Sequence, residues 1–293
     1  MSVVISASLV KELRERTGAA MMDCKHALVA ANGDIDAAIE AMRVSGQAKA
    51  VKKAGRVAAE GVVVIRHQGN TGVMLEINCE TDFVARDVSF LDFTAKVADL
   101  ALAREVHTVE ALLETAFDSG ETVENVRQVL VTKIGENVQL RRLALLNASG
   151  TLGAYSHGSK IGVLISITGS NDVLAKDLAM HIAAMKPIVV SPEQVPADVV
   201  EAERKIQVEQ ALESGKPKEL IDKMIDGRMR KFLSEMSLVG QPFVKDPSVI
   251  VGNLLKQNQM DVIEFLRFEA GEGIEKKVDN FAEEVMAQVK GNG

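Results

Sequence analysis

Gly72-Val73-Met74-Leu75-Glu76-Ile77 and Gly162-Val163-Leu164-Ile165-Ser166-Ile167 carry one apolar pattern at two places in the chain. Both read as strands, and in the first Val73, Leu75, Ile77 and Cys79 share a face at the two-residue period. Each run has a hairpin partner before it: Val62-Val63-Val64-Ile65 with a turn at Gly69-Asn70, and residues 152–157 with a turn at Gly158-Ser159. Each also has a helix after it, over residues 90–104 and 174–185, in which Ala95-Lys96 lines up with Ala175-Lys176. The pattern predicts an α+β fold with a duplicated strand-strand-helix core, its period too long for a solenoid. The copies are unequal. Lys96 lies 24 positions after Gly72 and Lys176 only 14 after Gly162, so the first copy holds ten more residues. They include Glu80-Thr81-Asp82-Phe83-Val84-Ala85-Arg86-Asp87, a large aromatic among charges at a strand end, which is where function is sought.

Residues 6–46 predict a compact three-helix unit. Ser6 caps the first helix, Gly18 closes it in a left-handed turn, and the second spans residues 21–31 and stops at Asn32-Gly33. Asp34 caps the third, where Ile35, Ala38, Ile39 and Met42 recur at helical spacing. So small a core leans on something else for stability. Residues 49–55 read as a basic, flexible connector.

Residues 191–238 predict an antiparallel helical hairpin. Val199, Val200, Ile206, Val208 and Leu212 line one helix, Gly215-Lys216-Pro217 turns the chain, and Leu220, Ile221, Met224, Ile225, Met229 and Phe232 line the other. It projects from the core and meets a partner or a second copy. Residues 240–244 and 262–268 are expected to complete the second sheet. Gly271-Glu272-Gly273 then precedes a last amphipathic helix bearing Ile274, Val278, Phe281, Val285 and Val289.

With 47% apolar residues in 293, a sizeable core is available and wholesale disorder is excluded. Lys and Arg number 34 against 41 Asp and Glu, and the chain has no Trp and one Tyr, which argues against direct nucleic-acid binding. Cys24 and Cys79 support neither a disulfide framework nor a four-ligand zinc site, and point to a reducing compartment. No apolar run approaches membrane-spanning length, and the first residues lack a basic n-region and an h-region, so a soluble, cytoplasmic protein is expected.

The motifs of enzymes are missing: there is no GxxxxGK[ST] loop, dinucleotide GxGxxG or HExxH. Cys24 and His26, two positions apart, point to different sides of a helix, and Cys24 reads as helix packing. Cys79 reads as core, and His26, His67 and His107 have no metal-ligand spacing. No catalytic residue, metal ligand or cofactor is therefore assigned. Met21 and Met22 point about 100° apart on a helix. Either one is core and the other incidentally exposed, or the pair is a soft contact surface framed by Arg14 and Lys25. Phe83 is either a buried anchor for its loop or an exposed wedge that another protein covers, and the octad alone does not decide.

Several of these stretches resemble the bacterial elongation factor Ts family. They are residues 9–14 with Thr17-Gly18-Ala19-Ala20-Met21-Met22-Asp23-Cys24-Lys25, Asn32-Gly33-Asp34, and residues 79–86. Lys133-Ile134-Gly135-Glu136-Asn137, His181-Ile182-Ala183-Ala184, residues 214–217, Gly240-Gln241-Pro242-Phe243 and residues 268–274 follow the same family. The resemblance covers nearly the whole chain, with residues 104–125 left without assignment. It implies a ubiquitin-associated-like helical module and linker over residues 1–55 and a core N-subdomain over 56–150. It further implies a core C-subdomain over 151–190 and 239–268, a coiled-coil hairpin over 191–238, and a C-terminal helical module over 269–293. It implies a guanine-nucleotide exchange factor that binds elongation factor Tu through its GTPase domain and a second domain, without catalytic residues, cofactor, nucleic acid or membrane. By motif, Thr81, Asp82, Phe83 and Val84 enter beside the partner's nucleotide site and dislodge Mg²⁺. Arg14, Met21, Met22, Lys25, Ile134, His157 and Val244 make the other contacts, and the hairpin contributes to a dimer or heterotetramer.

Two other readings compete with exchange. One is an adaptor or scaffold that holds a partner through the N-terminal helices and the hairpin. The other is a small enzyme using Cys24 or His157, which lacks any convergent acid-base cluster.

Overall fold

The computed structural model describes residues 5–17, 19, 21–212 and 218–275. Its first helices are α1 (Ala7–Thr17), α2 (Met21–Ala30) and α3 (Ile35–Lys53). Ser6 Oγ accepts from the Leu9 amide at 3.2 Å, and Asp34 caps α3 by accepting from the Ala37 amide at 3.0 Å. The expected cap at Gly18 lies outside the described residues. Val10, Leu13, Ala19, Cys24, Leu28 and Ala38 form a small core of their own. Residues 49–55 are not a flexible connector: α3 continues through them as far as Lys53. Residues 47–54 contain neither glycine nor proline, and Ala50 is buried in the next core, so packing holds the last turns in place.

The first repeat contains β1 (Glu60–Gln68), β2 (Thr71–Cys79), α4 (Val88–Ala103), α5 (Val109–Glu114), α6 (Val123–Ile134) and β3 (Gln139–Asn147). The second contains β4 (Thr151–His157), β5 (Ile161–Ile167), α7 (Asp172–Met185), α8 (Ala197–Leu212), α9 (Lys218–Met236), β6 (Pro242–Phe243), β7 (Asp246–Ile250), α10 (Val251–Gln257) and β8 (Val262–Glu269). The antiparallel sheets have the orders β1-β2-β3 and β4-β5-β8. The expectation that residues 262–268 complete the second sheet holds, whereas β3, its counterpart in the first, was not expected. Residues 240–244 do not join that sheet. β5 already has a neighbour on each edge, and Pro242–Phe243 pairs with β7 in a separate ribbon.

Val73, Leu75, Ile77 and Cys79 face α4 and α6, and Val163, Ile165 and Ile167 face α7. The opposite faces of the two sheets meet each other through Val63, Met74, Leu146 and Leu164. The result is four layers, helix-sheet-sheet-helix. The repeated glycines sit at the contact. A Cβ on Gly162 would stand 2.6 Å from Val63 Cγ1 and 2.8 Å from Met74 Sδ, and one on Gly72 would stand 3.0 Å from Leu152 Cδ2 and 3.1 Å from Leu164 Cδ2. Since Met74 and Leu164 occupy the same place in the repeat, each copy inserts its own side chain over the other's glycine.

The duplication extends to an irregularity. Between Glu76 and Ile77 the β2–β3 register passes over Arg141, and between Ser166 and Ile167 the β5–β8 register passes over Ile263. These are bulges at equivalent positions, each re-aiming a side chain. In the first sheet the bulge lets consecutive arginines reach one carboxylate. Glu76 is fully buried and accepts from Arg141 Nη1 at 3.0 Å, Arg142 Nε at 2.5 Å and the Gly271 amide at 2.8 Å. Burial pushes this carboxyl up, but the Gly271 amide and the two guanidinium groups outweigh it and hold it below the ordinary value.

The helix begins 16 positions after Gly72 in the first copy and 10 after Gly162 in the second. Six of the ten additional residues thus precede the helix, and the other four, about one turn, set Lys96 further along α4 than Lys176 is along α7. In the α8–α9 hairpin the seam is narrower than expected. Ala211, Ile221, Ile225 and Met229 are buried, whereas Ile206, Leu212 and Leu220 are exposed, because two helices cover only one stripe. The expected turn at Gly215-Lys216-Pro217 and the helix bearing Val278, Phe281, Val285 and Val289 lie outside the described residues.

Gly162→Ala should destabilise the protein by about 1–3 kcal/mol. Gly72→Ala should cost less, because mobile leucine tips rather than the stiff Val63 meet the new methyl; urea midpoints compare the two. Glu76→Gln should cost about 3–5 kcal/mol at pH 7 by leaving two arginines unbalanced. The stability that Glu76 contributes is complete above its ordinary value of 4.5 and is lost as pH falls through its lower folded value. The gap between wild type and Glu76→Gln should therefore narrow below pH 4.5.

Candidate partner-binding site

The loop after β2 is held by its backbone and presents its largest side chain outward. Glu136, just past the left-handed Gly135 that ends α6, accepts from the amides of Glu80 and Thr81 at 3.2 and 3.0 Å and from Thr81 Oγ1 at 2.8 Å. Ionised acceptors make such bonds strong. Thr81 Oγ1 also lies 3.4 Å from the Val84 amide, which opens a single 3₁₀ turn, Val84–Arg86. Asp87 then caps α4, accepting from Ser89 and Phe90.

Within this turn the roles of neighbours separate. Val84 and Ala85 are buried in the first core, and Phe83 is 82% exposed. Of the two readings open at Phe83, the structure selects the exposed one, with Val84 as the anchor. Val84 is thus placed against the protein's own core. Asp82 pairs with Arg86 at 3.0 Å on the surface. Val88, 80% exposed, and Leu91 add apolar surface on the first turns of α4, which sequence reasoning missed.

Met21 and Met22 are 54% and 57% exposed, so neither serves the small N-terminal core. Cys24 and Leu28 fill that role on α2, and Arg14 and Lys25 are exposed. These four candidates sit in the N-terminal unit, joined to the loop's sheet through α3. Ile134 is half-buried against the first core at the end of α6, and His157 is exposed at the end of β4, 3.3 Å from Tyr155 Oη. Val244 is half-buried against the second core, and its amide donates to His181 Nδ1 at 3.1 Å. With Nδ1 accepting, Nε2 carries the proton toward Gln241 Oε1, 3.0 Å away. Burial lowers the His181 pKa and keeps the ring neutral.

Cys79 is buried, and burial, followed by the nearby Glu136 charge, pushes its thiol up to about 12, far from a nucleophile. Cys24 is buried as well. Among the described residues no cluster of three or more His, Cys, Asp or Glu is placed to hold a metal ion, and no helix is long and apolar enough to cross a membrane. The arrangement suits binding: an exposed aromatic on a tied-down loop, and a separate methionine patch.

The elongation factor Ts family matches residues 80–272. Elongation factor Ts of Idiomarina loihiensis is 59% identical over 287 residues, 98% of each chain. That of Legionella pneumophila strain Lens is 59% identical over 288 residues, covering 98% of this chain and 99% of its own. That of Aeromonas hydrophila is 57% identical over 285 residues, 97% of each.

Anchor and exposed residue should separate cleanly in stability measurements. Val84→Ala should lower unfolding free energy by about 1–2 kcal/mol, whereas Phe83→Ala should leave the urea midpoint unchanged.

Proposed function

The chain belongs to the elongation factor Ts family, and we propose that it is a cytoplasmic guanine-nucleotide exchange factor for elongation factor Tu in translation elongation. In this reading residues 81–84 form the element that disturbs the partner's nucleotide site. The single observation that carries it is Phe83, 82% exposed on a loop whose backbone is fixed on both sides. The N-terminal helices act as a ubiquitin-associated-like module and the α8–α9 pair as a coiled-coil hairpin. Arg14, Met21 and Met22 contact the GTPase domain, Lys25 is a further partner contact beside them, and Ile134, His157 and Val244 support the contact from the core.

Exchange of this kind needs no nucleotide pocket on the factor. Mg²⁺ in the partner bridges the phosphates of GDP and holds them electrostatically. A side chain pressed beside that site shifts the groups around the ion, so that Mg²⁺ and GDP both bind more weakly. Linkage then requires the factor to prefer nucleotide-free partner over loaded partner by the same ratio. GTP, rebinding, displaces the factor.

Magnitudes divide the work. Burying one Phe stabilises a complex by about 1.5–3 kcal/mol, or about one to two powers of ten in rate if realised only in the nucleotide-free state. Acceleration beyond that comes from the other contacts.

Stopped-flow release of fluorescent GDP from elongation factor Tu at fixed Mg²⁺ tests this. Release should quicken with factor concentration, and Phe83→Ala should slow it by about one to two powers of ten without abolishing it. Removing residues 80–87 should abolish acceleration while leaving binding measurable. Wild-type acceleration by that deletion would remove residues 81–84 from the exchange element, and a lack of acceleration by the intact protein would put the scaffold reading in place of exchange.

A further inference from the structure

We propose that Glu136 and Asn137 are positioning residues for exchange, locking the end of α3 and the loop bearing Phe83 to one turn. The inference rests on the exchange reading above. Two segments far apart in sequence converge on residues 135–137. The loop arrives through the three bonds to Glu136, and its own Glu80 returns the favour, accepting from the Asn137 amide at 2.6 Å. The end of α3 arrives through Asn137 Nδ2, which donates to the carbonyls of Ala54 and Arg56 at 3.3 and 2.9 Å, and through Lys53, whose ammonium donates to Gly135 O. Arg56 closes the circuit by pairing with Glu80 at 2.7 Å. Asn137 is buried, so its bonds are not exchanged for water.

The consequence is geometric. α3 is one continuous helix of 19 residues, and near the end that this cluster holds its Lys49 pairs at 3.8 Å with Asp23, the residue after Met22 on α2. Two patches on one body engage a single partner together only if their separation matches it. The cluster fixes both ends of that separation: Asn137 holds the helix that carries the methionine patch, and Glu136 holds the residue two before Phe83. Without Glu136, Thr81 loses the carboxylate that orients its hydroxyl, and with it the lead into the Val84 turn.

The test is GDP release measured to saturation, giving a maximal rate and a half-saturating concentration for each variant. Glu136→Ala should lower the maximal rate about tenfold, the scale of lost charge-assisted bonds, and change half-saturation much less. Glu136→Gln, which keeps one acceptor oxygen and safeguards against misfolding, should move the same way by less. Asn137→Ala should instead raise half-saturation about fivefold by loosening the methionine patch. Because Glu136 acts through Phe83, adding Glu136→Ala to Phe83→Ala should slow exchange no further. A wild-type maximal rate in both Glu136 variants, or an equal additional loss in the Phe83→Ala background, overturns the proposal. If the wild-type protein does not accelerate release, the exchange reading itself falls; if it does and Phe83→Ala exchanges equally fast, the exchange reading stands and this inference falls.

Discussion

Two sheets pressed face to face need somewhere for their side chains to go, and here the answer is that residues 72 and 162 have none. Each glycine receives the residue two places beyond the other, Leu164 over Gly72 and Met74 over Gly162. The rest of the architecture follows from this apposition. With the inner faces committed to each other, the outer faces must be covered by helices, so β2 is buried along nearly its whole length. A strand buried on both sides has a rigid end. The loop that leaves β2 at Cys79 therefore starts from a fixed point, which is what an exposed aromatic needs in order to act on another protein.

The copies have diverged where their shared geometry left a choice. Glu76 and Ser166 occupy one position of the repeat, beside equivalent bulges. In the first copy the position holds a buried anion balanced by Arg141, Arg142 and a backbone amide, with Arg142 also stacked 4.4 Å from the Phe268 ring. In the second it holds a buried hydroxyl with no bonding partner. The anion joins β2 to the segment just beyond β8 through Gly271, so one charged group pins the first repeat to the end of the second. Buried ion pairs of this kind add little net stability against an apolar core, but they tolerate no loss of one member.

How much of this is written plainly in the chain depends on the range of the interaction concerned. The paired runs at 72–77 and 162–167 are legible because strand burial demands consecutive apolar residues, whereas for Met21-Met22 helix geometry excludes only that both serve one small core, and their exposure settles that neither does. β3 was not legible: Arg141-Arg142 interrupts its apolar alternation, and only the bulge, a feature of pairing with β2, explains the interruption. The helical state of residues 49–53 was missed for a similar reason, since lysines that look solvated flank an alanine buried by a distant core. Phe83 and Val84 could be flagged but not assigned. Which of two neighbours points inward depends on a turn held by Glu136, 55 positions away from Thr81. The loop's position was local information; its tether was not.

The second sheet is completed late. Val262 follows the end of β5 by 95 positions, with the hairpin α8–α9 and the β6–β7 ribbon intervening. At 5–20 residues per second, ribosomal synthesis leaves the edge of β5 without β8 for roughly 5–20 s. That edge reads Ile161-Gly162-Val163-Leu164-Ile165-Ser166-Ile167, an uncharged run of the kind that pairs indiscriminately. The first repeat, by contrast, is complete before β4 is made, and its inner face is ready to cover one side of the newcomer. The duplication thus works as a vectorial order of assembly, in which the earlier copy shields the later one while its last strand is still being synthesised.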